Sequence, residues 1–179
     1  MKELLSLLNT IPEYGLLLKE IRQNRSAAVT GIGQINRSHM IAGLHDRLER
    51  PIAVICQDDM AAKRIQEELK GFLGFTAPIL PSRELTMYDA AVVSRAWEQK
   101  RLRQLYDLSR GETSLQILSW EALSQRTMPK AVLENATFTL SVGEEYPVEQ
   151  LIRKLQAAGY ARCGMVEGPG QFAVRGGIV

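Results

Sequence analysis

The chain has 179 residues, of which 45% are hydrophobic, and its formal net charge at pH 7 is +2. This length and composition allow one good-sized domain or two small ones around an apolar core, and the nearly balanced charge does not favour a dedicated nucleic-acid binder. The sequence has no apolar run of about eighteen residues and no secretion signal. Its two cysteines, Cys56 and Cys163, form neither a disulfide framework nor a zinc motif, so we expect a cytoplasmic protein with no membrane partner.

Predicted helices and strands alternate over the first two thirds of the chain. Strands are predicted at residues 26–31, 52–56, 77–80 and 115–118. Helices are predicted over residues 2–23, from Ser38 to Leu48, from Asp58 or Asp59 to Gly74, and over 94–110 and 119–123, with a loop at 82–93. This alternation predicts an α/β layered domain with a parallel sheet.

The pattern changes after Pro129, and we place a domain boundary near residue 130. Apolar and polar residues alternate over 137–142, which is typical of a half-exposed antiparallel strand. A helix beginning at Pro147 and two strand candidates, at 160–166 and 171–175, complete the α+β pattern. Because an apolar strand begins at the last residue, we interpret the chain as a fragment of a longer protein.

The segment around Gly31 has the layout of a phosphate-binding loop between a strand and a helix. In the frame of the pattern G-x-x-x-x-G-K-[ST], Ala28 stands at the first glycine and Gly33 at the second. Gln34 replaces the lysine and carries no charge to offset a triphosphate, while Ile35 replaces the hydroxyl residue and offers no oxygen to magnesium. An ordinary turn into a helix remains an alternative. We therefore expect no ATP, metal or other cofactor in this chain, although the loop could still hold an anion.

Other residue types that can carry chemistry have ordinary structural explanations. His39 and His45 are six residues apart and do not share a helix face, so they predict no metal site. The pair Asp58 and Asp59 could be a magnesium site, but a helix cap is favoured. The basic side of the predicted helix at 94–110 could contact phosphate, with a solvated face as the default. We identify no catalytic residue, and we expect that the chain is not an enzyme.

Several segments resemble UvrB and the bacterial transcription-repair coupling factors, in the same order along the chain. Residues 29–33 resemble the V-T-G-S-G segment of UvrB, with the lysine and threonine that follow replaced. Residues 50–55 are similar to the family's second strand, and 80–88 to its F-P-x-W-E-x-L-P-Y segment, with Arg83 in place of the tryptophan. Residues 101–106 match the helix that follows.

The most specific likeness lies near the end of the chain. Residues 140–145, 151–155 and 159–160 resemble L-K-V-G-D-E, L-x-x-x-L and G-Y, and 170–179 resemble G-x-F-x-V-R-G-G-I-[VIL]. UvrB and the coupling factors share this stretch, which belongs to a domain that binds UvrA. The segment from Tyr88 to Val93 is too short for the tyrosine-rich hairpin with which UvrB grips damaged DNA, and this favours the coupling factor.

The resemblance implies a fold and a function. It implies a P-loop-like (RecA-like) α/β domain with a degenerate nucleotide site over residues 1–130, followed by the truncated start of an α+β UvrA-binding domain over 131–179. Such a module is a non-catalytic docking module that recruits UvrA and nucleotide excision repair to RNA polymerase stalled at DNA lesions. Contacts with RNA polymerase and double-stranded DNA, and an ATP- and magnesium-dependent translocase, would lie elsewhere in the full-length protein.

The resemblance also implies which residues contact the partner. Arg162 and Arg175 are expected to bind carboxylates of UvrA through their planar guanidinium groups, with Phe172 as a neighbouring apolar anchor. The residues of the degenerate phosphate loop are Gly31, Gly33, Gln34 and Ile35. The alternative is a nucleotide-binding helicase or UvrB-type excision-repair domain with its own ATP or DNA binding.

Overall fold

A computed structural model describes residues 2–82 and 95–179 and shows a mixed α/β protein with a small parallel sheet. Most of the predicted loop, including Arg83 and the segment from Tyr88 to Val93, lies outside the described residues. The described chain forms two compact units, made of residues 2–82 with 110–125 and of residues 95–109 with 126–179. The domain boundary near residue 130 stays a prediction.

The helices and strands follow one another in the order that the sequence largely predicts. The helices are α1 (Lys2–Ser6), α2 (Pro12–Arg22), α3 (Gln34–Arg47), α4 (Asp59–Leu73), α5 (Arg95–Ser109), α6 (Trp120–Ser124), α7 (Lys130–Ala136) and α8 (Val148–Ala157), with a short 3-10 helix at Leu7–Thr10. The strands are β1 (Ile52–Cys56), β2 (Ile79–Leu80), β3 (Leu115–Ser119), β4 (Ala161–Arg162) and β5 (Gln171–Phe172). None of these helices, which are those of the described ranges, is long and apolar enough to cross a membrane.

The first unit is built on a three-stranded parallel sheet with the order β1–β3–β2. Ile52 of β1 lies opposite Leu115 of β3, and Ile79 of β2 lies opposite Ile117 of β3. All five residues of β3 are buried, which is why its sequence reads as an almost continuous apolar run. The predicted strands at 52–56 and 115–118 are thus confirmed as β1 and β3, and the strand predicted at 77–80 is confirmed in its second half as β2.

Helix α4 covers the sheet and has well-defined ends. The Asp58 carboxylate accepts a hydrogen bond from the backbone N–H of Ala61 at 2.7 Å, which confirms the predicted cap. At the other end Gly74 has a φ of 76°, a left-handed conformation that favours glycine. Between these ends Ala62 and Leu69 are fully buried in the core beneath the sheet.

The strand predicted at residues 26–31 is wrong. These residues have no regular secondary structure, and Val29 is 48% exposed. Within the described residues the backbone of this segment forms no hydrogen bonds with the sheet, so the segment has no partner strand. The structure therefore shows a mixed α/β unit, and a RecA-like P-loop fold is not shown.

The second unit contains α5, α7, α8 and the two-stranded sheet. Strands β4 and β5 pair in parallel, with Ala161 opposite Gln171 and Arg162 opposite Phe172. The alternating segment at 137–142 is not a strand, so that prediction is wrong. Leu140 is 50% exposed, and within the described residues no partner strand forms hydrogen bonds with the backbone of this segment. Instead α7, which the sequence pattern did not predict, precedes it.

Replacing Ile117 with alanine tests whether the sheet interior carries the stability of the first unit. Ile117 is fully buried, so the cavity left by Ile117→Ala is expected to lower the free energy of unfolding by about 2–5 kcal/mol. The matched control is Ile55→Ala in the neighbouring strand, because Ile55 is 53% exposed and its truncation should cost less than about 1 kcal/mol. Urea unfolding of both variants measures the difference, and equal losses would contradict this account of the core.

Two glycines inside helices are expected to respond to alanine with opposite signs. A Cβ added at Gly43 would lie 2.3 Å from Leu8 Cδ1 and 2.9 Å from the Tyr14 hydroxyl, and both of these side chains are buried. In Gly43→Ala, overpacking should therefore cost about 1–3 kcal/mol of stability, which exceeds what alanine gains over glycine in helix propensity. At Gly71 nothing lies within 4 Å, so Gly71→Ala should stabilise the protein by about 0.5–1 kcal/mol. Thermal unfolding of the two variants gives the sign of each change in stability. Stabilisation by Gly43→Ala would contradict the close packing around Gly43.

Candidate functional site

The degenerate phosphate loop leads directly into helix α3. Gly31 has a φ of 75°, and Gly33 is the N-cap residue without a side-chain cap, so Gln34 and Ile35 are the first two helical residues. The helix begins four residues earlier than its predicted cap, Ser38, which lies inside the helix. The loop glycines therefore form a turn into a helix.

The side chain at the lysine position is held by a carboxylate from the neighbouring helix. Gln34 Nε2 donates to Glu68 Oε1 at 3.0 Å, and the Ser38 hydroxyl donates to Glu68 Oε2 at 2.5 Å. A carboxylate near the first turn of a helix is stabilised by the helix dipole. Glu68 therefore provides the negative charge at a helix start that would otherwise favour a bound anion.

A pocket of about 900 Å³ lies beside the loop, between α2, residues 27–32 and the first half of α3. Its lining is mostly aliphatic, with leucines from the short 3-10 helix and α2 and with Ile11 and Ile32 from the connecting segments. The charged residues among the described lining are Glu13 and Glu20, and none of that lining is lysine or arginine. A triphosphate placed here would meet negative charge and apolar surface without a compensating cation.

Buried polar groups in this region support the packing and offer no reactive group. Burial raises the pKa of the Tyr14 hydroxyl, which lines the pocket and has no hydrogen-bond partner among the described residues. Burial in β1 also raises the pKa of the Cys56 thiol, and the charge of Asp58 adds to this effect, so the thiol is held in its less reactive protonated form. His39 contacts the Leu4 carbonyl and stacks on a phenylalanine ring.

Among the basic residues of α5 whose burial the structure describes, one does not lie on a solvated face. Arg101 in α5 is only 6% exposed, and desolvation lowers the pKa of its guanidinium. The default interpretation of a fully solvated basic side is therefore wrong for this residue. Arg103 of the same helix is exposed and forms an ion pair with Asp107 at 3.0 Å.

Arg162 lies in β4, at the centre of the small sheet of the second unit. The N–H groups of its two neighbours fix the strand: Ala161 donates to the Gly170 carbonyl at 2.8 Å and Cys163 to the Phe172 carbonyl at 2.9 Å. The Arg162 side chain is exposed. The short sheet thus fixes the backbone from which this guanidinium projects.

Arg175 lies at the start of a tight turn that follows β5. Its backbone N–H and C=O both bond to Ile178, at 3.0 and 3.1 Å, across Gly176, whose φ is 61°. The exposed guanidinium donates to the Gly164 carbonyl at 3.3 Å, two residues beyond Arg162. The structure therefore brings the two predicted arginines to the same small sheet and the loop that leaves it.

Phe172 is 5% exposed and lies opposite Arg162 in the sheet. Its side chain is largely enclosed but lines the groove beside Arg175, so its role as an apolar anchor stays a prediction. An apolar contact surface is present nearby, in a groove of about 500 Å³ next to Arg175. We call it the α8 groove. Its lining includes Leu140, Leu151, Leu155, Tyr160, Val166 and Ile178.

Sequence reasoning missed the α8 groove, although a signal for it was present. Leu151, Ile152 and Leu155 form one apolar face of α8, which was identified, yet no residue of this helix is buried. An amphipathic helix normally buries its apolar face. Within the described residues that face remains open to the groove.

A comparison with protein-family models finds a match within the second unit. The family model described as "UvrB interaction domain" matches residues 138–179. This range contains Arg162, Arg175 and the α8 groove. The earlier part of the chain, including the degenerate loop, lies outside that match.

Longer similarities extend over most of the chain. A transcription-repair-coupling factor of Myxococcus xanthus is 28% identical over 174 residues, covering 93% of this chain and 14% of that protein. The Bacillus subtilis (strain 168) factor is 28% identical over 152 residues, and the match covers 84% of this chain and 13% of that factor. The Staphylococcus aureus (strain USA300) factor is 26% identical over 163 residues, and the match covers 90% of this chain and 14% of that factor.

The chain thus spans about one seventh of the length of the curated relatives that it matches. Their similarity confirms the resemblance that the ordered segments indicated, at modest identity. The chain carries a UvrB interaction domain match in residues 138–179 and is similar over most of its length to transcription-repair-coupling factors.

Proposed function

We propose that this chain is a docking module that recruits UvrA, and with it nucleotide excision repair, to RNA polymerase stalled at DNA damage. The match of residues 138–179 to the UvrB interaction domain is the observation that carries the proposal. The similarity to transcription-repair-coupling factors supports the transcriptional context. On this proposal, contacts with RNA polymerase and double-stranded DNA, and an ATP-driven translocase, belong to other parts of a longer protein.

The proposed docking face consists of Arg162, Arg175 and the α8 groove. Arginine is favoured at interfaces because its planar fork makes two-pronged contacts with carboxylates. Arg175 is held by its own turn and by the Gly164 carbonyl, so little side-chain freedom remains to be lost on binding. An apolar groove beside a charged group provides the dry centre that a strong contact needs.

The chemistry of this face defines the complementary surface of the partner. It needs a carboxylate for each guanidinium and at least one aliphatic or aromatic side chain for the α8 groove. Phe172 lies in β5, the strand that pairs with β4, and its largely buried side chain lines the α8 groove. On this proposal it contributes to the apolar centre of the face.

Reversing both charges is expected to abolish UvrA binding. In Arg162→Glu/Arg175→Glu each attractive contact becomes a repulsive one, so the loss should exceed about 2 kcal/mol, a factor of about thirty in Kd. Calorimetric titration of this chain with purified UvrA measures the change. Both side chains are exposed, so the midpoint of thermal unfolding should remain that of the wild type.

The matched control carries the same change in net charge at other exposed positions. Arg126→Glu/Arg153→Glu alters two arginines outside the docking face, and Arg153 forms only a 3.8 Å exposed ion pair with Glu149. UvrA binding should stay within about twofold of the wild type, since exposed pairs contribute little. Wild-type affinity in the first variant, or equal losses in both, would defeat the proposed face.

We further propose that the first unit is a P-loop-like scaffold that has no nucleotide or metal cofactor and is not an enzyme. Three features support this. Gln34 is engaged by Glu68, Ile35 provides no oxygen ligand, and the pocket beside the loop is lined by aliphatic side chains and two glutamates. A helicase-type activity would need a cation and a metal ligand at this loop.

The ATP prediction is direct. Titration of the chain with a fluorescent ATP analogue and magnesium is expected to show no saturable binding up to millimolar nucleotide, because no charged donor offsets the phosphates. Repeating the titration without magnesium separates metal-dependent capture from weak anion binding at the helix start. Tight, magnesium-dependent binding would overturn the scaffold proposal and favour the nucleotide-binding alternative.

A further inference from the structure

Three arginines line a single polar pocket at the ends of α2 and α3, far along the chain from the residues of the docking face. The pocket has a volume of about 410 Å³, and its lining consists of Arg22, Arg47, Leu48, Glu49 and Arg50. We call it the arginine pocket. All three arginines are exposed, so their guanidinium groups are accessible to a ligand from solvent.

Arg22 and Arg47 are tied together through neutral oxygens. Arg22 Nη2 donates to the backbone carbonyl of Arg47 at 3.4 Å, and Arg47 Nη2 donates to Asn9 Oδ1 at 2.7 Å. These bonds join the end of α2 and the short 3-10 helix to the end of α3. They fix the side chains without neutralising their charge.

Arg50 is anchored in the same way from the loop before β1. Its Nη1 donates to Asn24 Oδ1 at 2.9 Å, and its Nη2 donates to the carbonyl of Ile21. Ile21 precedes Arg22, so the third guanidinium lies beside the chain segment that carries the first. Two amide side chains and backbone carbonyls thus hold three cations around one concavity.

No carboxylate forms an ion pair with any of these three arginines within the described residues. Four other exposed arginines, namely Arg25, Arg103, Arg110 and Arg153, do have an acidic partner within 4 Å. The feature that sets the three arginines apart is that they line one concavity. Glu49 is the single carboxylate in the lining. Like charges held close together repel, and neutral oxygens do not remove that repulsion.

Helix capping accounts for part of the arrangement. Arg22 and Arg47 lie in the last turns of α2 and α3, where positive charge complements the helix dipole, and Arg50 satisfies a carbonyl near the end of α2. A guanidinium has five N–H donors, however, and these contacts use one or two from each arginine. The remaining donors and the uncompensated charge are concentrated at the pocket.

We propose that Arg22, Arg47 and Arg50 form a binding site for a phosphate group. A terminal phosphate presents three oxygens and up to two negative charges, so it can meet three guanidinium groups at once, whereas a carboxylate has two oxygens and one charge. The phosphate could belong to a free polyphosphate or to a nucleic-acid backbone. This site is separate from the degenerate loop, whose pocket lining contains no arginine among the described residues.

The test uses the whole chain and two probes at low ionic strength, inorganic pyrophosphate and a single-stranded thymidine oligonucleotide. Binding measured by calorimetry should weaken with added salt. In Arg22→Gln/Arg47→Gln the affinity should fall at least about tenfold, because two charge-assisted contacts are lost. The control Arg103→Gln/Arg153→Gln removes the same charge from arginines that already have acidic partners and should bind as the wild type does.

The outcomes separate the possible ligands. Saturable pyrophosphate binding without oligonucleotide binding indicates a free phosphate ligand, and tighter oligonucleotide binding indicates a nucleic-acid backbone. If the double variant does not fold, Arg22→Gln alone serves, because it gives up only a 3.4 Å bond. The proposal is overturned if neither probe binds, if the variants bind as the wild type does, or if a glutamate-rich peptide binds in their place.

Discussion

Burial of β3 on both faces is the constraint on which the first unit depends. This strand lies between β1 and β2, and its five residues are all inaccessible to solvent. Even its polar residues, Gln116 and Ser119, are buried, and the Gln116 amide nitrogen donates to the carbonyls of Pro78 and Ile117, each at 2.9 Å. Because the sheet is parallel, its other two strands need long connections, and α4 provides one of them while covering the sheet.

The same constraint explains which elements the sequence predicts well. A short apolar run in a strand, as in β1 and β3, is visible without knowledge of its neighbours, although only β3 is buried on both sides. Local hydrogen bonds are equally visible, so Asp58 and Gly74 mark the ends of α4 correctly. By contrast, residues 26–31 and 137–142 have strand-like patterns but find no partner strand within the described chain. Pairing is a property of the whole unit, and a local pattern cannot supply it.

The site residues likewise divide into those that the sequence identifies and those that only the packing of the chain brings together. The lost lysine and hydroxyl of the phosphate loop can be read directly at Gln34 and Ile35, and Arg162 and Arg175 follow from the family resemblance. The bond between Gln34 and Glu68, and the clustering of Arg22 with Arg50, join residues distant in sequence and depend on helix packing. Phe172 illustrates the remaining difficulty, because alternation in a two-residue strand does not reveal which face is buried.

The two units differ in how their described residues are packed and exposed. The first unit has a well-packed sheet and a pocket without cations beside the loop. The second has short strands, an open amphipathic helix and two exposed guanidinium groups, and that of Arg175 donates a hydrogen bond to a backbone carbonyl. On the proposed function, the first unit would provide support and the second would contact the partner.

The carboxylate of Glu68 also limits what a single substitution at residue 34 would achieve. A lysine at this position would stand beside Glu68 and form an ion pair with it, so part of its charge would be offset before any ligand arrived. Supplying both a cation for phosphate and an oxygen for magnesium at this loop would therefore require changes at Gln34, Ile35 and Glu68 together. Any one of these changes made alone would leave the loop without a group that the phosphate-binding pattern contains.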